Sequence, residues 1–146
     1  MVGGSYRAAM ATPEAILHLS IPVRDLDAAR RFYVDAFGSA VGRERDDWVD
    51  VWFFGMQLTL QQRPDEVLPA GEQGVRHFGV VLEDATTYRE TVERLQVAGV
   101  EWLSEPTVHR GESLSGKVGG KLVDPSGNVI EIKHYPAIDV YRAAAT

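Results

Sequence analysis

The sequence predicts an α+β fold made of two tandem β-α-β-β-β modules. Three observations carry the prediction. A course of strand, helix and glycine runs through residues 16–38 and again through 77–100, and such self-similarity reveals architecture before any single element is certain. Each course continues into extended apolar segments and closes on a strand just past a glycine, Gly55 in the first and Gly127 in the second. Between them "RPDEVLPAGEQG" (63–74) holds two prolines and two glycines, the composition of a connector.

The elements follow in order. Residues 1–13 are read as a flexible Gly/Ala/Ser-rich leader, 14–135 as a single domain of two repeated modules (14–64 and 73–135), and 136–146 as a tail. In "ILHLSIPVRDLDAARRFYVDAFG" the strand yields to a helix at Asp25, a residue type that caps helix N-termini. Leu26, Ala29, Phe32, Tyr33, Ala36 and Phe37 recur at helical spacing, and Gly38 stops the helix. "WVDVWFF" (48–54) and "MQLTLQQ" (56–62) then read as strands. The second module repeats the course with Asp84 as cap, Tyr88, Val92 and Leu95 as stripe, and Gly99 as stop. "GGKLV" (119–123), the turn "DPSGN" and "VIEIKHY" (129–135) complete it. In that turn proline fixes one dihedral, and glycine tolerates the left-handed one.

Strand side chains alternate between faces. Leu17, Leu19 and Ile21 therefore oppose Ile16, His18 and Ser20; Phe78, Val80 and Leu82 oppose His77, Gly79 and Val81. Leu58 and Leu60 oppose Gln57, Thr59 and Gln61, while Ile130 and Ile132 oppose Val129, Glu131 and Lys133. Each strand thus offers an apolar face to its helix and a more polar face to something else. Aligning the modules on Gly55 and Gly127 matches Thr59 with Glu131, and His18 with His77 as first-strand residues. A carboxylate on a dry face is strongly penalised, so this second face needs water or a cation. Two neutral imidazoles and one carboxylate suit a divalent ion: Fe2+, Mn2+, Zn2+, Ni2+ or Co2+.

Composition narrows the alternatives. The 146 residues carry a net charge of -6, which works against a nucleic-acid partner. There is no cysteine, so any metal must be held by His, Asp, Glu or amides. No segment reaches the ~20 apolar residues of a membrane span, and the leader lacks the apolar core of a signal peptide, so a cytoplasmic location is expected.

With its paired modules, "HLSIPVRDLDAARRFYVDAFG" near the start and "LVDPSGNVIEIKHY" near the end, the chain resembles the vicinal oxygen chelate superfamily over residues 14–135. That superfamily includes glyoxalase I, extradiol dioxygenases, fosfomycin-resistance transferases and bleomycin-resistance proteins. The resemblance implies a curled mixed sheet, helices on its convex face and one divalent metal on its concave face. Carried over residue by residue, it makes His18, His77 and Glu131 the ligands. The fourth position falls on Thr59, where glyoxalase I-like members place another ligand. Threonine cannot act as base near neutral pH, so the pattern is closer to the dioxygenases and fosfomycin transferases.

The reading favoured is therefore an extradiol-like dioxygenase on Fe2+ that chelates adjacent substrate oxygens. A glyoxalase-like lyase or isomerase, or a thiol transferase, is the alternative; a metal-free protein that sequesters a ligand, like the bleomycin-resistance members, is a rival of another class. His109, in "PTVHRGE", and Lys121, on the strand before the final glutamate, are candidate catalytic groups. Trp48, Trp52 and Phe54, with Gln57, Thr59 and Gln61, are candidate substrate contacts in an apolar pocket. His134 has the wrong parity for the cavity and reads as structural. The resemblance further implies a homodimer, in which modules are sometimes exchanged, acting on a small molecule.

Overall fold

The computed structural model describes residues 14–107 and 118–136. Its elements run β1 (His18–Val23), α1 (Leu26–Phe37), β2 (Ala40–Arg45), β3 (Trp48–Phe53) and β4 (Met56–Gln62) in the first module. Two 3-10 turns, Pro64–Glu66 and Ala70–Glu72, lie in the connector. The second module comprises β5 (Phe78–Leu82), α2 (Ala85–Val97), β6 (Glu101–Ser104), β7 (Val118–Val123) and β8 (Val129–His134). This is the expected α+β fold of tandem modules. The strands pair as two four-stranded sheets, ordered β1-β4-β3-β2 and β5-β8-β7-β6, neither closed on itself. In both, the first and last strands of the module run parallel and the rest antiparallel, so each sheet is mixed.

Local chemistry explains the helix boundaries. The Asp25 carboxylate accepts from the Ala28 amide at 2.9 Å, and that of Asp84 from the Thr87 amide at 2.8 Å. Each satisfies a donor that the first helical turn leaves open. After α1 the chain turns at Gly38, whose φ of 67° is open to glycine at no steric cost. The apolar stripes are buried as their spacing demands: Ala29, Tyr33 and Ala36 on α1, Tyr88, Val92 and Leu95 on α2. They close over Val49, Val51, Phe53, Leu58 and Leu60 of one sheet and Leu122, Ile130 and Ile132 of the other, in one continuous core. Among the described residues no helix is long and apolar enough to cross a membrane.

The modules are joined by polar bonds as well as by packing. The Asn128 side-chain amide donates to the Pro22 carbonyl at 3.0 Å, and the Arg24 amide to Ser126 Oγ at 2.9 Å. Arg94 of α2 donates to the carbonyl of Asp35 at 3.3 Å, near the end of α1. In the core, the Tyr33 hydroxyl donates to Asp124 Oδ2 at 2.9 Å. Burial pushes the Asp124 carboxyl above its usual range, against the hydrogen bonds from Asn128, Tyr33 and Ser126 that pull it down. A carboxyl raised on folding stabilises most when protonated, so its contribution is present below the unfolded value and lost as pH rises towards the folded one. Tyr33→Phe removes one donor. The variant is expected to lose about 1–2 kcal/mol in urea denaturation, and its Asp124 carboxyl carbon is expected to titrate at a higher pH by NMR.

Candidate metal and substrate site

The polar faces carry two clusters, one per module. In the second, parallel pairing sets Gly79 beside Glu131 and antiparallel pairing sets Lys121 opposite it. The close approach has a steric origin. A Cβ at Gly79 would overlap the Glu131 carbonyl oxygen, so only glycine lets β5 lie there. His77, two residues before, then brings Nε2 to 3.5 Å from Glu131 Oε2, while its Nδ1 lies 2.7 Å from the Val75 carbonyl. The Glu131 side chain is only 7% exposed. Lys133 Nζ stands 3.1 Å from its Oε1 and Lys121 Nζ 3.7 Å from its Oε2. His77, Glu131 and Lys133 border a pocket of about 210 Å3 whose lining also includes Gly79 and Val81.

The first cluster is built on the equivalent register. Ser20 pairs with Thr59 as Gly79 pairs with Glu131, so His18 and His77 hold matching positions two residues upstream. His18 Nδ1 lies 3.1 Å from the Gln57 carbonyl. Deeper in the face, the Asp50 side chain is 2% exposed and closely held. It accepts from Thr59 Oγ1 at 2.6 Å, Gln57 Nε2 at 3.3 Å and Arg43 Nε at 3.2 Å. The Arg43 and Arg45 guanidinium carbons stand 5.4 Å and 5.9 Å from the Trp48 ring centre, within cation–π reach. A pocket of about 270 Å3 is lined by His18, Arg43, Trp48, Asp50, Gln57, Thr59 and Gln61.

Residues 15–132 match the model of the glyoxalase/bleomycin resistance protein/dioxygenase superfamily. The chain belongs to that superfamily. No curated protein sequence matches it. A superfamily protein from Alicyclobacillus acidocaldarius, described as glyoxalase/bleomycin resistance protein/dioxygenase, is similar at 31% identity and TM-score 0.74, covering 86% of this chain and 95% of that one. Two further solved structures share the fold: a genomically encoded fosfomycin resistance protein from Listeria monocytogenes and a lactoylglutathione lyase from Agrobacterium tumefaciens. The first has 14% identity and TM-score 0.64, covering 84% of this chain and 94% of that one. The second has 21% identity and TM-score 0.61, covering 86% and 97%.

For this superfamily chain, the expected site residues divide. His77, Glu131 and Lys121 come together, as do His18, Trp48, Gln57, Thr59 and Gln61. The two clusters border separate pockets, because β1 and β5 are edge strands of different sheets. Among the described residues of one chain, no three His, Asp or Glu side chains stand close enough to hold a metal. Trp52 shares the face of Trp48 and sits over Gly42, beyond the pocket wall. Phe54 lies elsewhere. It occupies the hairpin turn with a φ of 48°, so strand alternation no longer applies, and its ring packs on Phe37 and Phe53. His109 falls outside the described residues. His134 is structural as expected: buried, its Nδ1 2.9 Å from the Leu82 carbonyl and its ring stacked on Tyr88. Asp50 and Lys133 are additions to the expected set, and both were accessible to parity, Asp50 between two tryptophans and Lys133 two residues past Glu131.

The donor chemistry fits a divalent ion. A carbonyl oxygen can only accept, so Nδ1 of each histidine is the donor to it, and in the neutral ring that leaves Nε2 with the lone pair a metal requires. Ligating histidines are held in this way by their surroundings.

Proposed function

We propose that the protein is a homodimeric metalloenzyme that grips its substrate through two adjacent oxygens, with His18 of one copy completing the His77 and Glu131 pair of another. Its favoured reaction is extradiol cleavage of a catechol on Fe2+. The observation that carries this reading is the shared preparation of the two histidines, each with Nδ1 on a backbone carbonyl, and the His77 Nε2 facing Glu131 Oε2 at 3.5 Å. The location of the sheet edges, which among the described residues carry no further strand, supports a second copy. Edge strands β1 and β5 are flanked or occupied by the exposed apolar residues Ile16, Leu17, Val75 and Val81, a surface that invites pairing.

Bound Fe2+ would supply Lewis acidity and redox chemistry toward dioxygen. The chain supplies the rest. The Val75 and Gln57 carbonyls fix the histidine tautomers, and Gly79 holds β5 against Glu131. Lys121 stands beside Glu131, where its ammonium can stabilise negative charge on a substrate oxygen as the hydroxyl ionises. Trp48, Gln57 and Gln61 offer a ring face and amides to the body of the substrate. A lyase or isomerase is less well supported. The carboxylate of the first cluster belongs to Asp50, whose oxygens already accept from Thr59, Gln57 and Arg43.

Ligand sequestration without metal has one observation in its favour: Lys121 and Lys133 already balance the charge of Glu131. Untagged protein, loaded anaerobically with Fe2+ and assayed for oxygen uptake against a catechol panel, decides between them. The metalloenzyme retains about one ion per chain and consumes oxygen with at least one catechol. Absence of retained metal, together with a tight complex to an aromatic cationic antibiotic, would establish sequestration instead.

A further inference from the structure

The two clusters differ in charge. In the first, Arg43 places Nε and Nη2 each 3.2 Å from Asp50, so one cation meets one anion. In the second, among the described residues, two ammoniums converge on the single carboxylate of Glu131. The chain has only three lysines, and two of them stand here, in a protein whose overall charge is -6. Local excess positive charge inside an acidic protein requires a reason. Lys133 also has few other polar neighbours in its register, since it pairs with Val81 on one side and Gly119 on the other.

Metal binding sharpens the imbalance. An ion that takes the Glu131 oxygens competes directly with Lys133 for Oε1 and with Lys121 for Oε2. One carboxylate and two neutral imidazoles around a divalent ion leave one net positive charge, and the two ammoniums raise it to three. A doubly ionised pair of chelating oxygens removes two. One positive charge remains, beside a lysine that has lost its partner.

We propose that Lys133, with Lys121 beside it, is an anion-recognising arm of the site, and that the substrate carries a carboxylate, or an anionic group of that size, in addition to its two chelating oxygens. Lys133 lies two residues along β8 from Glu131 on the same face, a rise of about 6–7 Å along the backbone, so its ammonium, now 3.1 Å from Oε1, can swing from Glu131 to an anionic group farther along the strand. The position of that pair rests on the chelating reading above, whereas the excess positive charge does not. The substrate class is a catechol, or a compound with neighbouring oxygens, bearing an acid group on its far side.

Calorimetric titration of the zinc-loaded dimer with 3,4-dihydroxybenzoate and with catechol tests this without turnover. The carboxylated probe is expected to bind about ten- to a hundredfold more tightly, the scale of one charge-assisted hydrogen bond. Lys133→Met should bring the two affinities to within about twofold, and Lys133→Arg should keep most of the preference. Equal binding of the two probes by the natural protein, or an unchanged preference in a Lys121→Met/Lys133→Met chain, overturns the anion arm. Zinc content is measured on the same samples. If the natural protein holds no zinc, the chelating reading fails, and the same comparison on metal-free protein decides the anion arm alone.

Discussion

Mixing a His18→Ala chain with a Glu131→Ala chain is expected to restore metal binding that neither variant shows alone. The expectation follows from which strand carries which donor. His18 borders one pocket, and His77 with Glu131 borders another, so a three-donor site requires donors from two copies. Each homodimer of a variant lacks the same ligand in both sites. In a mixed dimer, one site combines both defects while the other takes an intact His18 and an intact Glu131. Random exchange makes half the dimers mixed, so about a quarter of all sites recover. Metal content by elemental analysis after unfolding and refolding the variants together reads the result. No recovery, with both variants folded and dimeric, would exclude a site shared between copies. Retention of full metal by either single variant would exclude that residue as a ligand.

The second large effect comes from a residue that touches no ligand. Gly79→Ala is expected to destabilise the fold by about 3 kcal/mol or more, at the upper end of what overpacking a close contact costs. The added Cβ would overlap the Glu131 carbonyl oxygen and lie 2.7 Å from its carbon and 2.9 Å from its nitrogen. All three are backbone atoms, so no side-chain rotation relieves the clash. Strand β5 must move away from β8, and His77 moves with it. A large fall in Tm together with loss of metal is the expected outcome. Gly71→Ala is the control, since a Cβ there meets nothing within 4 Å and its backbone is not left-handed. Its Tm should stay within about 2 °C of the natural protein.

Much of this could be read from the chain because repetition checks itself. Asp25 and Asp84 cap where a polar residue precedes an apolar stripe, and the register that equates His18 with His77 is the one found in both sheets. Strands without an apolar face were harder to see. In β2, "AVGRER" has almost no buried side chain to betray alternation, and β6 is a four-residue strand of the same kind. Phe54 was misplaced because counting by twos ends where a turn begins. Asp50 was not among the expected residues, although its position between Trp48 and Trp52 puts a carboxylate in the lining of the first pocket. The separation of the two clusters is of another kind. Alternation says which way a side chain points, but which sheets lie side by side depends on contacts that no local pattern encodes.

The seam between the modules bears on how the chain is made. Asn128 reaches back to the Pro22 carbonyl, Ser126 to the Arg24 amide and Asp124 to the Tyr33 hydroxyl, spanning 106, 102 and 91 residues. Contacts so far apart in sequence form late and slow the search for the native state. During synthesis, the opening strand and first helix can pack within their own module, but Pro22, Arg24 and Tyr33 meet these polar partners only after the second module has followed.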